Sequence, residues 1–133
     1  MLKKNKYKIA FISWMVFVTY SSLSSFEGVD TPGLNIPHLD KAVHFTFYFV
    51  ASFLGVFCLR EFSGRAISKK KVFLIAVLFA IAFGIIIEVL QYALTTDRQG
   101  DVWDAFANSI GALAGIMAVK FLFSGNSRLK WEI

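Results

Sequence analysis

The sequence predicts an all-α membrane protein, a bundle of four transmembrane helices with both termini cytoplasmic. Three observations predict it. The 133-residue chain is 56% hydrophobic with fifteen phenylalanines, and its mean hydropathy of +0.60 lies above the ordinary globular range. Its apolar residues gather into four runs, and its basic residues gather between and beyond them. A chain of this length is one domain, residues 1–133.

The first run extends from about Ile9 to Leu23. Preceded by "MLKKNKYK" and followed by "SSLSS", it has the outline of a secretory signal peptide. It contains Trp14 and Tyr20 and lacks an Ala-x-Ala site, so a retained helix is expected. The second run, about Ala42 to Leu59, follows a segment with Pro32-Gly33 and Pro37, which is turn chemistry. Pro37 and Asp40 suit the start of a helix, as a fixed φ and an acid near the positive dipole end. The third run, about Val72 to Leu94, and the fourth, about Val102 to Phe123, are long enough to cross a ~30 Å hydrocarbon core.

Charge sets the orientation. Twelve of the fourteen Lys and Arg residues precede the first run, lie between the second and third, or end the chain. The other two, Lys41 and Arg98, flank the remaining loops. By the positive-inside rule the loops around 24–41 and 95–101 face outward. The net charge of +5 therefore reads as membrane orientation. Nucleic acid is not an expected partner, because no aromatic-basic surface repeat is present. The single Cys58 excludes an internal disulfide and has no metal-type partner spacing.

The polar residues inside the runs carry the functional reading. His44 and Tyr48 share one helical face on the second run, and Ala51 and Gly55 extend it. Gly84, Glu88 and Gln91 form a similar stripe on the third, and Asp101, Asp104, Asn108, Gly111 and Gly115 on the fourth. The small residues give seams where helices approach closely. At 1.5 Å per residue, Tyr48, Glu88 and Asn108 each lie about 9 Å inside the outer boundary. His44, Gln91 and Asp104 fall one turn higher, with Asp40, Lys41, Arg98 and Asp101 at the mouth. These ten residues form the expected ligand-binding set of an outward-facing pocket.

Simpler roles compete. Asp101 serves equally as an N-cap with Asp104 at N3, and Trp103 as an interfacial aromatic. Arg98 can grip an anion with two parallel bonds or neutralise Asp101 or Asp104. Glu88 differs, since an ionised carboxylate within a span costs about 2.5–3.5 kcal/mol on insertion scales. It requires a partner or a proton.

Three segments, "DKAVHFTFYF", "IEVLQ" and "RQGDVWDAFANSIGALAG", resemble the VanZ-like family of small bacterial membrane proteins, named for a protein associated with teicoplanin resistance. They match the patterns D-K-x-x-H-F-x-x-Y, E-x-x-Q and R-x-x-D-x-x-D-x-x-A-N-x-x-G, in order, over roughly residues 38–118. The positions are Asp40, Lys41, His44, Phe45, Tyr48, Glu88, Gln91, Arg98, Asp101, Asp104, Ala107, Asn108 and Gly111. Family members often carry Pro-Gly before the arginine, where this chain has "TTDR". The resemblance implies a four-helix protein of the bacterial cytoplasmic membrane and a link to glycopeptide resistance, without an established reaction.

The leading functional expectation is a non-enzymatic envelope protein whose pocket binds an anionic lipid headgroup, a lipid-linked cell-wall precursor or a lipoglycopeptide. An enzyme acting on a lipid-linked phosphate or glycan is the first alternative, with His44, Glu88 and Asp104 as catalytic candidates. No activated Ser or Cys nucleophile is evident. No three-ligand metal signature is present either, so neither metal nor cofactor is expected. A proton-coupled carrier centred on Glu88 is the second alternative, and its small size makes it depend on oligomerisation.

Overall fold

A computed structural model of the chain describes residues 4–24, 39–63, 66–94 and 102–122. They form four helices: α1 (Lys6–Leu23), α2 (Leu39–Phe62), α3 (Lys69–Leu94) and α4 (Val102–Leu122). Three stretches, Lys41–Phe62, Lys69–Leu94 and Val102–Leu122, are long and apolar enough to cross a membrane. A helix satisfies its backbone hydrogen bonds internally, which is what a span in hydrocarbon demands. The chain is thus a multi-pass membrane protein.

Four spans are expected from the sequence, and three of the helices meet that description. α1 is the shortest, at 18 residues, with Lys6 and Lys8 in its first turn and Ser21-Ser22 near its end. α2 and α3 each extend about one turn past the apolar run at the Arg60 and Lys69 ends. Charged residues there lie beyond the hydrocarbon-grade sequence without interrupting the helix. At α3, Ser68 supplies the cap, its hydroxyl accepting from the Lys71 N–H at 3.4 Å.

The four helices form one bundle in which α2 and α4 make the most extensive pairing. α3 packs on both, and α1 packs on α2 and α3. Two glycines make the α2–α4 approach possible. A Cβ on Gly111 would collide with the Phe45 backbone, and one on Gly115 with Ser52 and the Phe49 carbonyl. Ser52 uses this closeness, donating from its hydroxyl to the Ala112 carbonyl at 2.8 Å. Beneath the seam, Val56, Phe57, Val72, Ala76 and Val119 form a buried apolar core.

α1 is fastened at three levels. Glu61, near the end of α2, accepts the backbone N–H groups of Tyr7 and Lys8 at 3.1 and 2.9 Å. Its carboxylate thereby satisfies donors that a helix start leaves without an internal partner. Trp14 donates its indole N–H to the Phe47 carbonyl at 2.9 Å. Gln91 of α3 donates to the Ser22 carbonyl at 2.8 Å.

Polarity is distributed inside out. Large apolar side chains such as Leu78, Ile86, Val89, Phe106, Leu113 and Met117 are exposed, whereas His44, Ser52, Glu88, Gln91, Asp104 and Asn108 are buried. A membrane accounts for this arrangement, because hydrocarbon covers the outer face and hydrogen bonds hold the inner polar groups together.

Candidate functional site

The start of α2, the last two turns of α3 and the start of α4 lie at the same end of the bundle. Each helix turns a polar stripe inward there: Lys41, His44 and Tyr48 from α2, Glu88 and Gln91 from α3, Asp104 and Asn108 from α4. Helical geometry requires these choices, since residues three and four apart share a face.

Asn108 is the centre of the cluster and only 1% exposed. Its Nδ2 donates to Glu88 Oε1 at 3.4 Å, and its Oδ1 lies 2.9 Å from His44 Nδ1. These contacts have one consistent direction. An ionised carboxylate only accepts, so it takes the amide N–H and leaves the amide oxygen facing the imidazole. That oxygen also only accepts, so His44 carries a proton on Nδ1. Glu88 Oε1 itself stands 3.4 Å from the same nitrogen.

The other imidazole nitrogen, Nε2, faces Asp104 Oδ2 at 3.7 Å. The second oxygen of Asp104, Oδ1, accepts from Lys41 Nζ at 3.4 Å. Asp104 therefore divides its two oxygens between an ammonium on the partly exposed side and the imidazole inside. Buried carboxylates need such partners, because the hydrocarbon interior penalises an isolated charge.

One turn below His44, the Tyr48 hydroxyl is buried and has no hydrogen-bond partner among the described residues. Its ring lies beside Asn108, where a Cβ on Gly84 would press on both side chains at 3.2 Å. Gly84 thus admits the tyrosine and the asparagine side by side.

The structure brings together Lys41, His44, Glu88, Asp104 and Asn108 through direct contacts, with Tyr48 alongside. Gln91, expected level with His44, reaches the α1 backbone. Arg98, Asp101 and the Asp40 side chain lie outside the described residues. Trp103 is exposed, edge-on to Phe106. A groove of about 470 Å³ runs along the outer face between α2 and α4, lined by Lys41, Phe45, Thr46, Trp103, Phe106 and Ile110 among others. Apart from Lys41 at one end, its walls are largely apolar.

Chemically, the cluster offers acceptors for hydroxyl, amide or ammonium groups and one ammonium for an anion. It also offers an imidazole nitrogen suited to proton transfer. His44, Glu88 and Asp104 each present one potential metal-ligand atom, all within 4.8 Å of one another. Spacing along the chain carries no metal signature because each of these groups comes from a different helix. Ser52, Glu61 and Trp14 organise the bundle without a sequence signal, since each bonds a backbone group 33 or more residues away.

A search of curated proteins and a search of solved structures returned no match. The family model described as VanZ/LLP1 matches residues 2–123. That match covers all four helices and every residue of the buried cluster, so the chain belongs to the VanZ/LLP1 family.

Proposed function

We propose that this VanZ/LLP1 protein binds the polar headgroup of an anionic lipid or lipid-linked envelope precursor. It does so in a pocket on the outer side of the bacterial cytoplasmic membrane. In this reading α1 is a fourth span and both termini are cytoplasmic, as the charge distribution favours. The observation that carries the reading is the conjunction of a buried polar cluster with an apolar α2–α4 groove, Lys41 standing at their junction. A lipid has the same two parts. Its phosphate or other anion meets Lys41, with Arg98 as the second cation, while its chain lies in the groove. Glu88, Asp104, Asn108 and His44 accept or donate to the hydroxyl and amide groups of the head.

A lipoglycopeptide combines a polar body with an acyl tail, and the same pocket suits it. A role in glycopeptide resistance would follow from capture of the drug or of the precursor it attacks. Lipid extracted with the purified protein provides the test. Mass spectrometry is expected to find an anionic lipid with the wild type that is lost from a Glu88→Gln/Arg98→Ala variant. Equal recovery from both proteins overturns the proposal.

One observation favours a second reading, an enzyme acting on the same lipid-linked phosphate. Asn108 fixes the proton on His44 Nδ1, which leaves Nε2 free to exchange a proton beside Asp104. Phosphate or glycan release from a polyprenyl-phosphate substrate by purified protein, abolished in His44→Ala, would select this reading.

A further inference from the structure

We propose that His44, Glu88 and Asp104 bind one divalent cation of the Zn²⁺ or Mn²⁺ class. The three side chains come from α2, α3 and α4, and their donor atoms lie within 4.8 Å of one another. Ligand atoms around an ion with bonds of about 2.0–2.2 Å stand about 3–4 Å apart. The trio therefore closes on an ion by shifts of less than about an ångström, within the reach of side-chain rotation.

The hydrogen bonds prepare the imidazole for this role. A metal-bound histidine gives one nitrogen to the ion and donates the N–H of the other to an oxygen. His44 has that second bond already, from Nδ1 to Asn108 Oδ1 at 2.9 Å. Its Nε2 faces Asp104 Oδ2 at 3.7 Å. That separation is too long for a hydrogen bond and suits two ligands of one ion. Lys41 holds the opposite oxygen of Asp104, which leaves Oδ2 for the metal.

Glu88 supplies the third donor with a carboxylate oxygen; its Oε1, which receives the Asn108 amide, stands 3.4 Å from His44 Nδ1. A second observation points to the same place. The Tyr48 hydroxyl is buried beside this cluster with no partner among the described residues. Buried hydroxyls are rarely left so, and an ion-bound water would give it one. One imidazole and two carboxylates, without a thiolate, favour Zn²⁺ or Mn²⁺ over Cu⁺ and over oxygen-only Ca²⁺ sites.

The inference rests on the proposed pocket being open to water, but it requires no lipid. It is tested on the full chain in detergent, stripped with chelator, delipidated and titrated with Co²⁺ as an optical stand-in. The expected result is one Co²⁺ per chain with visible d–d absorption, displaced by Zn²⁺. His44→Gln and Asp104→Asn should each abolish that spectrum, and Asn108→Leu should weaken binding about 10–100-fold. Arg98→Ala should keep the Co²⁺ spectrum while losing the anionic lipid, so the ion site and the headgroup site can fail separately. Wild type that takes up no stoichiometric Co²⁺, or variants with an unchanged spectrum, overturns the proposal. If the variants do not fold, carbethoxylation of wild-type His44 decides it: Zn²⁺ should protect the imidazole, and equal modification with and without Zn²⁺ overturns the site.

Discussion

Glu88 of α3 and His44 of α2 are joined through the side-chain amide of Asn108 on α4 and also stand 3.4 Å apart directly. One asparagine thus sets the proton position on an imidazole and partners a carboxylate buried between spans. Its replacement by leucine should leave two buried polar groups short of a partner, at about 1–3 kcal/mol. Asn108→Asp should be worse, because it sets a second carboxylate against Glu88. Thermal unfolding in detergent, with wild type > Asn108→Leu > Asn108→Asp, checks the order.

The glycines should differ sharply in tolerance. Gly111→Ala and Gly115→Ala meet α2 backbone and should each destabilise by roughly 1–3 kcal/mol, the range for overfilled sites. Gly55 has only ordinary contacts, with Phe11 at 3.5 Å and Ala76 at 3.7 Å. Gly55→Ala should therefore be neutral, or gain up to about 1 kcal/mol from helix propensity. Unfolding of the three variants side by side would expose any failure of this contrast.

Ser52 should contribute little alone. Hydrogen bonds between membrane helices average about 0.6 kcal/mol, so Ser52→Ala should cost about that much. A loss several times larger would mean that the hydroxyl does more than bridge to Ala112.

Glu61 should govern the start of α1. Its removal in Glu61→Ala leaves the Tyr7 and Lys8 amides without their acceptor. The expected cost is about 0.5–2 kcal/mol, as for loss of an N-cap. Faster hydrogen exchange confined to the first turn of α1 is the measurement; unchanged exchange there would show that water replaces the carboxylate.

Much of this architecture is legible in the sequence, and the reasons are local. Apolar runs without proline mark α3 and α4 to within three residues at each end. The polar stripes could be placed because helical rise converts residue number into depth, which set Glu88, Asn108 and Tyr48 at one level. Lateral neighbours were harder. Depth alone pairs Gln91 with His44, whereas the chain turns Gln91 toward Ser22 of α1. The His44–Glu88–Asp104 trio is invisible to spacing rules for the same reason, with one donor on each of three helices. α1 is the least legible element, since its fastening depends on Glu61 and Phe47.

The glycine seam has a consequence for access to the proposed site. Gly111 rests on Phe45, the residue after His44, so the α2 and α4 backbones meet beside the polar cluster. Below it, Ser52 bridges the two helices and Val56, Val72 and Val119 have no solvent exposure. Beneath the cluster the bundle is therefore filled by interlocked side chains. A ligand bound in the cluster, as proposed, would enter and leave at the same end of the bundle.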